Sequence, residues 1–300
     1  MRPAVGPGER RRPRDAVIHG GVCRSGDRKH RLTVEVRRNG VTVRARKEIV
    51  VSSTPRAAPN PVDLLAQPID FTELPLTVAT FTTRGEEPST LKVIVLVEVS
   101  AGAAEAAGGS YAFSIAAAPA KPVFETADRL AAGSPASAVA AQVPPGRYRL
   151  RAAAVDTAGR QGSLDMPIVV GLRQVGALQF SDLIVGRLEG AFTPATRVPP
   201  GVPLVSVLEL YSADPSQLEG LDVSVELRRA GGPTEPTLVP AEVRKTSLDR
   251  RRIANANIPA TSLGSGTWLI SAVVRRGSEV LGQVTRGISV SPPVGGDQLK

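Results

Sequence analysis

Few side chains in this 300-residue chain have the type and spacing to do chemistry. The two histidines, His19 and His30, sit in segments that offer no converging set of further donors. A metal centre needs three or four such donors, so none is expected. Asp156 and Asp165 are carboxylates of a kind that can hold calcium. Asp156, however, opens Asp156-Thr157-Ala158-Gly159, which reads as a type I turn closed by a positive-φ glycine, so Asp156 is taken as a turn residue. Arg10, Arg11, Arg12 and Arg14 begin a basic stretch that continues through Arg24, Arg28, Lys29 and Arg31 and could contact phosphates. No aromatic residue interleaves it to stack on bases. No Gly-x-Ser-x-Gly elbow, P-loop or His-Glu-x-x-His occurs. Gly159-Arg160-Gln161-Gly162 is too short for a phosphate cradle and reads as a hairpin loop. The expectation is a protein without catalytic residue, metal or cofactor, and not an enzyme.

Charge is distributed unevenly. Residues 1–56 hold 15 Lys or Arg against 5 Asp or Glu, whereas 57–300 hold 22 against 23, so the net +9 comes from one end. A nearly neutral body makes nucleic acid an unlikely partner for it. Arg250-Arg251-Arg252 reads as a solvated strand edge, where charge discourages sheet-to-sheet pairing. Cys23 is the sole cysteine, so no internal disulfide can form. No apolar run reaches the roughly 18 residues that cross a bilayer. The first residues have no apolar core of a secretory signal.

The strongest architectural signal is a repeat. Gly146-Arg147-Tyr148-Arg149-Leu150 and its continuation to Val155 recur 120 positions later as Gly266-Thr267-Trp268-Leu269-Ile270 and its continuation to Arg275. Gly162, Ile168 and Val170 map onto Gly282, Ile288 and Val290 in the same register. Apolar residues at every second position on both sides of a turn mark a terminal β-hairpin on a half-buried sheet. Two copies, about 120 residues apart, predict two tandem immunoglobulin- or fibronectin III-like antiparallel β-sandwiches, all-β in class. With aromatics at 3%, their cores must be mainly aliphatic. Tyr148 and Trp268 are therefore expected as core aromatics, with Leu150 and Ile270 behind them.

The remaining elements follow from local pattern. Residues 1–27 are expected to lack order. Leu32, Val34 and Val36, then Asn39-Gly40, then Val41, Val43 and Ala45 predict a hairpin with a type I′ turn, within 28–51. A Pro-rich linker is expected over 52–70, the first sandwich over 71–172, the second over 176–292, and a loose tail over 293–300. Leu91–Val99 is the best candidate for a central strand. The Pro in Leu74-Pro75-Leu76 suggests an edge position for the strand that follows. The Ala-rich stretches 101–107 and 131–141 are interrupted by Gly or Pro and read as loops.

Residues 28–47 resemble the closing strand and turn of bacterial von Willebrand factor type A (VWFA)-related domains. In that family this end runs Lys/Arg-Val-x-Val-Lys/Arg-x-x-Gly-Val-x-Val-Arg-Ala-Arg. Here Asn39 stands where Pro is usual, and Lys47-Glu48-Ile49 replaces the usual ending. Leu74–Thr80 and Gly146–Leu150 resemble the β-rich region behind such a domain. The resemblance implies that a type A domain, with its Asp-x-Ser-x-Ser metal site, lies upstream. That motif is absent here, so no metal ligand carries over. It also implies an extracellular or periplasmic location and a hairpin left over from the missing domain. The expected function is a structural or protein-binding module of an adhesion-type protein, working through edge-strand or loop contacts. The alternative is binding of nucleic acid or an anionic surface through 1–56.

Overall fold

The computed structural model describes residues 16–18, 28–31, 34–36, 48–51, 59–99, 108–117, 122–131, 136–232 and 235–292. The chain divides into two compact units, 1–58 and 59–300. In the first, the backbone of β1 (Ala16–Ile18) pairs antiparallel with β3 (Val34–Val36). Likewise β2 (Arg28–Arg31) pairs with β4 (Glu48–Val51). β1 thus falls within the stretch expected to lack order, and it is the described partner of Val34–Val36. The Asn39-Gly40 turn and Val41–Ala45 lie outside the described residues, as do 101–107 and the 293–300 tail.

The second unit contains two sandwiches. The first is built from β5 (Leu76–Arg84), β6 (Leu91–Val99), β7 (Gly109–Ala116), β8 (Pro122–Leu130), β9 (Ala136–Val143), β10 (Gly146–Asp156) and β11 (Gln161–Val170). β5-β6-β9 form one sheet and β11-β10-β7-β8 the other. β6 is central, as its β-branched run predicts. Val93, Val95 and Val97 enter the core with Tyr111, Phe113, Ile115 and Leu150. On its opposite face Leu96 and Glu98 are also buried. A strand covered on both faces need not alternate, which accounts for the continuous apolar run. β5 lies at the sheet edge, as Pro75 predicts.

The second sandwich follows with β12 (Arg173–Val175), β13 (Leu178–Phe180), β14 (Ile184–Glu189), β15 (Ala191–Pro194), β16 (Arg197–Val198) and β17 (Leu204–Ser212). It is completed by β18 (Leu221–Arg229), β19 (Thr237–Pro240), β20 (Glu242–Lys245), β21 (Arg251–Ile258), β22 (Gly266–Arg276) and β23 (Glu279–Val290). β17 is flanked by β13 and β14 on one side and β21 on the other, with β20 beyond β21. The facing sheet runs β16-β23-β22-β18-β19.

The repeat extends well beyond the hairpins. Tyr111, Phe113 and Ile115 stand opposite Ala154, Ala152 and Leu150. In the second sandwich Val223, Val225 and Leu227 stand opposite Val274, Ala272 and Ile270, the positions 120 residues on. Both hairpins open on the same register, Gly146 against Val170 and Gly266 against Val290. The shared glycine inside the hairpin has a steric cause. A Cβ on Gly162 would lie 2.0 Å from the Leu74 carbonyl oxygen, and one on Gly282 would lie 2.8 Å from the Phe180 ring.

The two aromatics that open the repeated strand make the same contact. The Tyr148 hydroxyl donates to the Pro144 carbonyl at 2.9 Å, and Trp268 Nε1 donates to the Gly264 carbonyl at 2.7 Å, each four residues upstream. Each side chain thereby clips the loop entering its strand, as in the tyrosine corner of immunoglobulin-like sandwiches. They differ in depth. Tyr148, Leu150 and Ile270 are buried, but Trp268 is half-buried at the rim of its core and not inside it.

Two further expectations change. Ala136–Val143, overlapping the Ala-rich stretch 131–141 read as a loop, is strand β9, paired with Leu91–Glu98 of β6. Residues 61–65, read as linker, form helix α1 (Pro61–Leu65), capped by the Asn60 side chain accepting from the Val62 amide at 3.0 Å. Leu64 and Leu65 pack with Ala112, Ala153 and Val155, on the side of the β7–β10 sheet away from the main core.

Full burial of an aromatic would make its truncation cost about 3–5 kcal/mol. Tyr148→Ala is expected in that range and Trp268→Ala lower, at about 2–3 kcal/mol, by urea unfolding followed by circular dichroism. Tyr148→Phe, which removes only the clip, is expected to cost about 1 kcal/mol. A Trp268→Ala loss equal to that of Tyr148→Ala contradicts the rim placement.

Candidate functional site

The residues singled out for chemistry are held by structural partners or lie outside the described residues. Arg10, Arg11, Arg12, Arg14, His19 and Cys23 belong to the latter, and His30 is described only as backbone on β2. Asp156 closes its turn: its carboxylate accepts from the Arg160 amide at 2.8 Å and pairs with Arg160 Nε at 2.7 Å. Gly159 beside it has φ +79°, the positive angle the turn needs. Asp165 pairs across the hairpin with Arg149 at 3.0 Å. Arg276, at the position of Asp156 in the second copy, donates to the Gln217 carbonyl instead. Among the described residues no three His, Cys, Asp or Glu side chains converge as a metal site.

Arg250-Arg251-Arg252 does not form a solvated edge. Arg251 and Arg252 begin β21, which lies between β17 and β20. Arg252 is buried and 2.6 Å from Glu219, while Arg251 pairs with Glu209 at 2.6 Å. Arginine's long stem packs inward while its head reaches an acid, so a triple-Arg run is a poor marker of exposure.

The most elaborate polar constellation joins the two sandwiches, and sequence reasoning missed it. β5 is an edge strand, and four of its outward backbone groups are bonded by the second sandwich, three of them by side chains. Arg286 Nη2 donates to the Thr80 carbonyl at 3.0 Å. The Asp182 carboxylate accepts from the Thr82 amide at 2.7 Å, while the Asp182 amide donates to the Thr82 carbonyl at 2.9 Å. The Arg84 amide donates to the Tyr211 hydroxyl at 2.9 Å, and that hydroxyl donates to Glu209.

On the adjoining face of β6, buried Glu98 accepts from the Thr196 amide at 2.8 Å, from the Thr196 hydroxyl, and from the Arg197 amide at 3.2 Å. Apolar contact fills the remainder: Phe81, Leu96 and Ile184 form one buried cluster, flanked by Ile94 and Phe192.

Two cations complete the joint by lying on rings. The Arg286 guanidinium lies 4.4 Å from the Phe81 ring centroid, and Arg84 lies 4.7 Å from that of Tyr211. Burial lowers the pKa of Arg286, against the opposing charge of Asp182, and its Nε finds no partner. Burial, reinforced by the charge of Glu209, pushes the Tyr211 hydroxyl up. Both groups are held in place by the joint, Arg286 by the Thr80 carbonyl and the Phe81 ring and Tyr211 by the Arg84 amide and Glu209. One signal was available in the sequence: Glu98 ends a run of β-branched residues where a carboxylate has no reason to be unless paired.

A shallow trough of about 730 Å³ crosses the outer face of the β14-β17-β21 sheet. Val205, Val207, Asn255 and Asn257 form its floor, with Leu188 and Phe192 on one flank and Leu238 on the other. Its charged residues, Glu242 and Arg244, pair with each other, and Arg244 draws the Glu242 carboxyl below its usual range. The trough is thus largely apolar, with Asn255 and Asn257 on its floor and its two charges paired to each other.

No family model matches the chain, and no curated protein sequence does. Among solved structures it is similar to a purple acid phosphatase from yellow lupin (Lupinus luteus) seeds, at 8% identity and a TM-score of 0.29. That similarity covers 72% of this chain and 41% of the phosphatase. It is also similar to Escherichia coli alpha-2-macroglobulin activated by porcine elastase, at 12% identity and a TM-score of 0.23, over 89% of this chain and 25% of that one. The chain thus spans less than half the length of each, and at such scores neither likeness bears on function. Among the described residues no helix is long and apolar enough to cross a membrane.

Glu98→Ala leaves the Thr196 and Arg197 amides in the joint without their acceptor, and is expected to cost about 2–3 kcal/mol in urea unfolding. Glu219 supplies a pH test: its carboxyl is drawn down by hydrogen bonds from Lys245 and then Arg252. A depressed folded value gives stability that is full above the unfolded value, about 4.3, and is lost as pH falls through the folded one. Glu219→Gln is expected to lose that acid-side dependence, read as a flatter melting temperature between about pH 5 and pH 2.

Proposed function

We propose that this chain is a non-catalytic structural and protein-interaction module of a secreted or cell-envelope protein of the VWFA-related, adhesion type. The observation that carries the structural half is the joint along β5, in which backbone groups of one sandwich are bonded by side chains of the other. Two sandwiches tied in this way act as one body, which is what a spacer or presenting scaffold needs. The VWFA relation and the location outside the cell rest on the resemblance of residues 28–47. Within the sandwich class, the three-against-four strand arrangement of the first sandwich supports a fibronectin III-like reading. The alternative, nucleic-acid or anionic-surface binding through 1–56, is favoured by the 15-to-5 excess of basic residues there.

Residual dipolar couplings measured on the full chain test the scaffold reading. Amides of both sandwiches are expected to fit one alignment tensor, and the Glu98→Ala/Asp182→Ala double variant to need two. A wild-type chain that already needs two tensors overturns it. For the alternative, replacing Arg10, Arg11, Arg12 and Arg14 with Ala is expected to lower the salt needed for elution from heparin. Unchanged elution removes that reading.

A further inference from the structure

A strand at a sheet edge presents unpaired N–H and C=O groups that invite another strand, and proteins blunt such edges with charge, proline, brevity, bulges or cover. Most edges in 59–300 carry one of these. β5 is covered by the second sandwich, β8 includes Glu125, Asp128 and Arg129, β11 includes Asp165 and Pro167, and β20 reads Glu-Val-Arg-Lys. β15 ends in Pro194, β19 ends in Pro240, and β16 is two residues long. β9 has no charge, proline or bulge, and no described strand pairs with it on the side away from β6. It reads Ala-Ser-Ala-Val-Ala-Ala-Gln-Val, eight residues without charge or proline, in unbroken register with β6.

The groups that β9 turns outward can be deduced from the joint. Thr80, Thr82 and Arg84 point their backbone groups away from β6, so the alternate residues of β5 bond to β6 through Lys92, Ile94 and Leu96. Leu91, Val93, Val95 and Val97 must then bond in the other direction, to Val143, Ala141, Val139 and Ser137 of β9. That leaves the N–H and C=O of Ala138 and Ala140 facing away from the sheet, and both residues are exposed. In the second sandwich the corresponding strand, β21, carries a further strand at this same edge, with Val243 of β20 opposite Ala254. The architecture accommodates a strand there.

We propose that β9 is a self-association edge, pairing antiparallel with β9 of a second copy of this chain about a two-fold axis at Val139. Ala138 of each copy exchanges both backbone hydrogen bonds with Ala140 of the other, and the two β5-β6-β9 sheets become continuous. A two-fold contact sets one surface against itself. A charged edge would repel its own copy, whereas Ala, Ser, Val and Gln carry no such penalty, and the short side chains let the backbones approach.

Sedimentation equilibrium on the full chain tests this. A monomer–dimer equilibrium with Kd of about 1–100 μM is expected. Ala140→Pro removes the outward N–H at a position where an edge strand tolerates proline, and is expected to weaken dimerisation at least about tenfold with an unchanged thermal melt. Ala138→Lys, which leaves the backbone intact and adds a charge facing its own copy, is expected to do the same and decides the matter if the proline variant misfolds. A wild-type chain that is monomeric at about 100 μM, or a dimer indifferent to the folded variants, overturns the proposal. The scaffold reading stands or falls separately, because the alignment tensors report one chain's two sandwiches whatever its oligomeric state.

Discussion

An edge strand can enter a dry contact only if its outward backbone groups find partners there, and the arrangement of residues 59–300 turns on that requirement at β5. The Thr80 carbonyl, the Thr82 amide and carbonyl and the Arg84 amide would otherwise face another domain unpaired, at about 1–3 kcal/mol for each one buried and unsatisfied. The second sandwich meets them with side chains of matched polarity: Asp182 both accepts and, through its amide, donates; Arg286 donates; the Tyr211 hydroxyl accepts. Once those bonds fix the approach, Phe81 and Leu96 meet Ile184, and β6 becomes buried on both faces. A polar ladder specifies the geometry, and the apolar cluster beneath it supplies area. The half-buried Arg286, whose Nε is buried without a partner, is a cost of this design, and its ring contact with Phe81 offsets part of it.

What the sequence made legible was whatever repeats with a period of two. The β10–β11 and β22–β23 hairpins, central β6 and edge strand β5 all follow from alternation, β-branching or a proline. What escaped has specific causes. Thr80, Thr82, Asp182 and Arg286 escaped because no local pattern marks a surface that another domain covers; only Glu98, a carboxylate within an apolar run, carried a signal. β9 escaped because alanine has little strand preference; its pairing with β6, not its propensity, makes it a strand. Helix α1 carried a readable signal, an Asn N-cap followed by Pro at the first helical position, that the surrounding prolines obscured. Trp268 shows the limit from the other side: the repeat predicts its position and its clip, but depth depends on how the Gly264–Gly266 loop lies, which its register alone does not determine.

The two sandwiches share their packing and differ in their borders. Positions 150, 152 and 154 and their counterparts 270, 272 and 274 keep small or aliphatic residues, and both copies clip the entering loop with an aromatic. Asp156 and Arg276, by contrast, occupy one place and hold different partners. The same divergence separates the edges: the second copy adds β20 beyond β21, and in the first no described strand lies beyond β9. Substitution is cheap at a border and costly in a core, so two copies of one sandwich diverge first where they meet something else. The residues that tie β5 to its neighbour, and the uncharged run along β9, are border residues in this sense. A reading of the protein's contacts must start from the positions at which its two halves no longer agree.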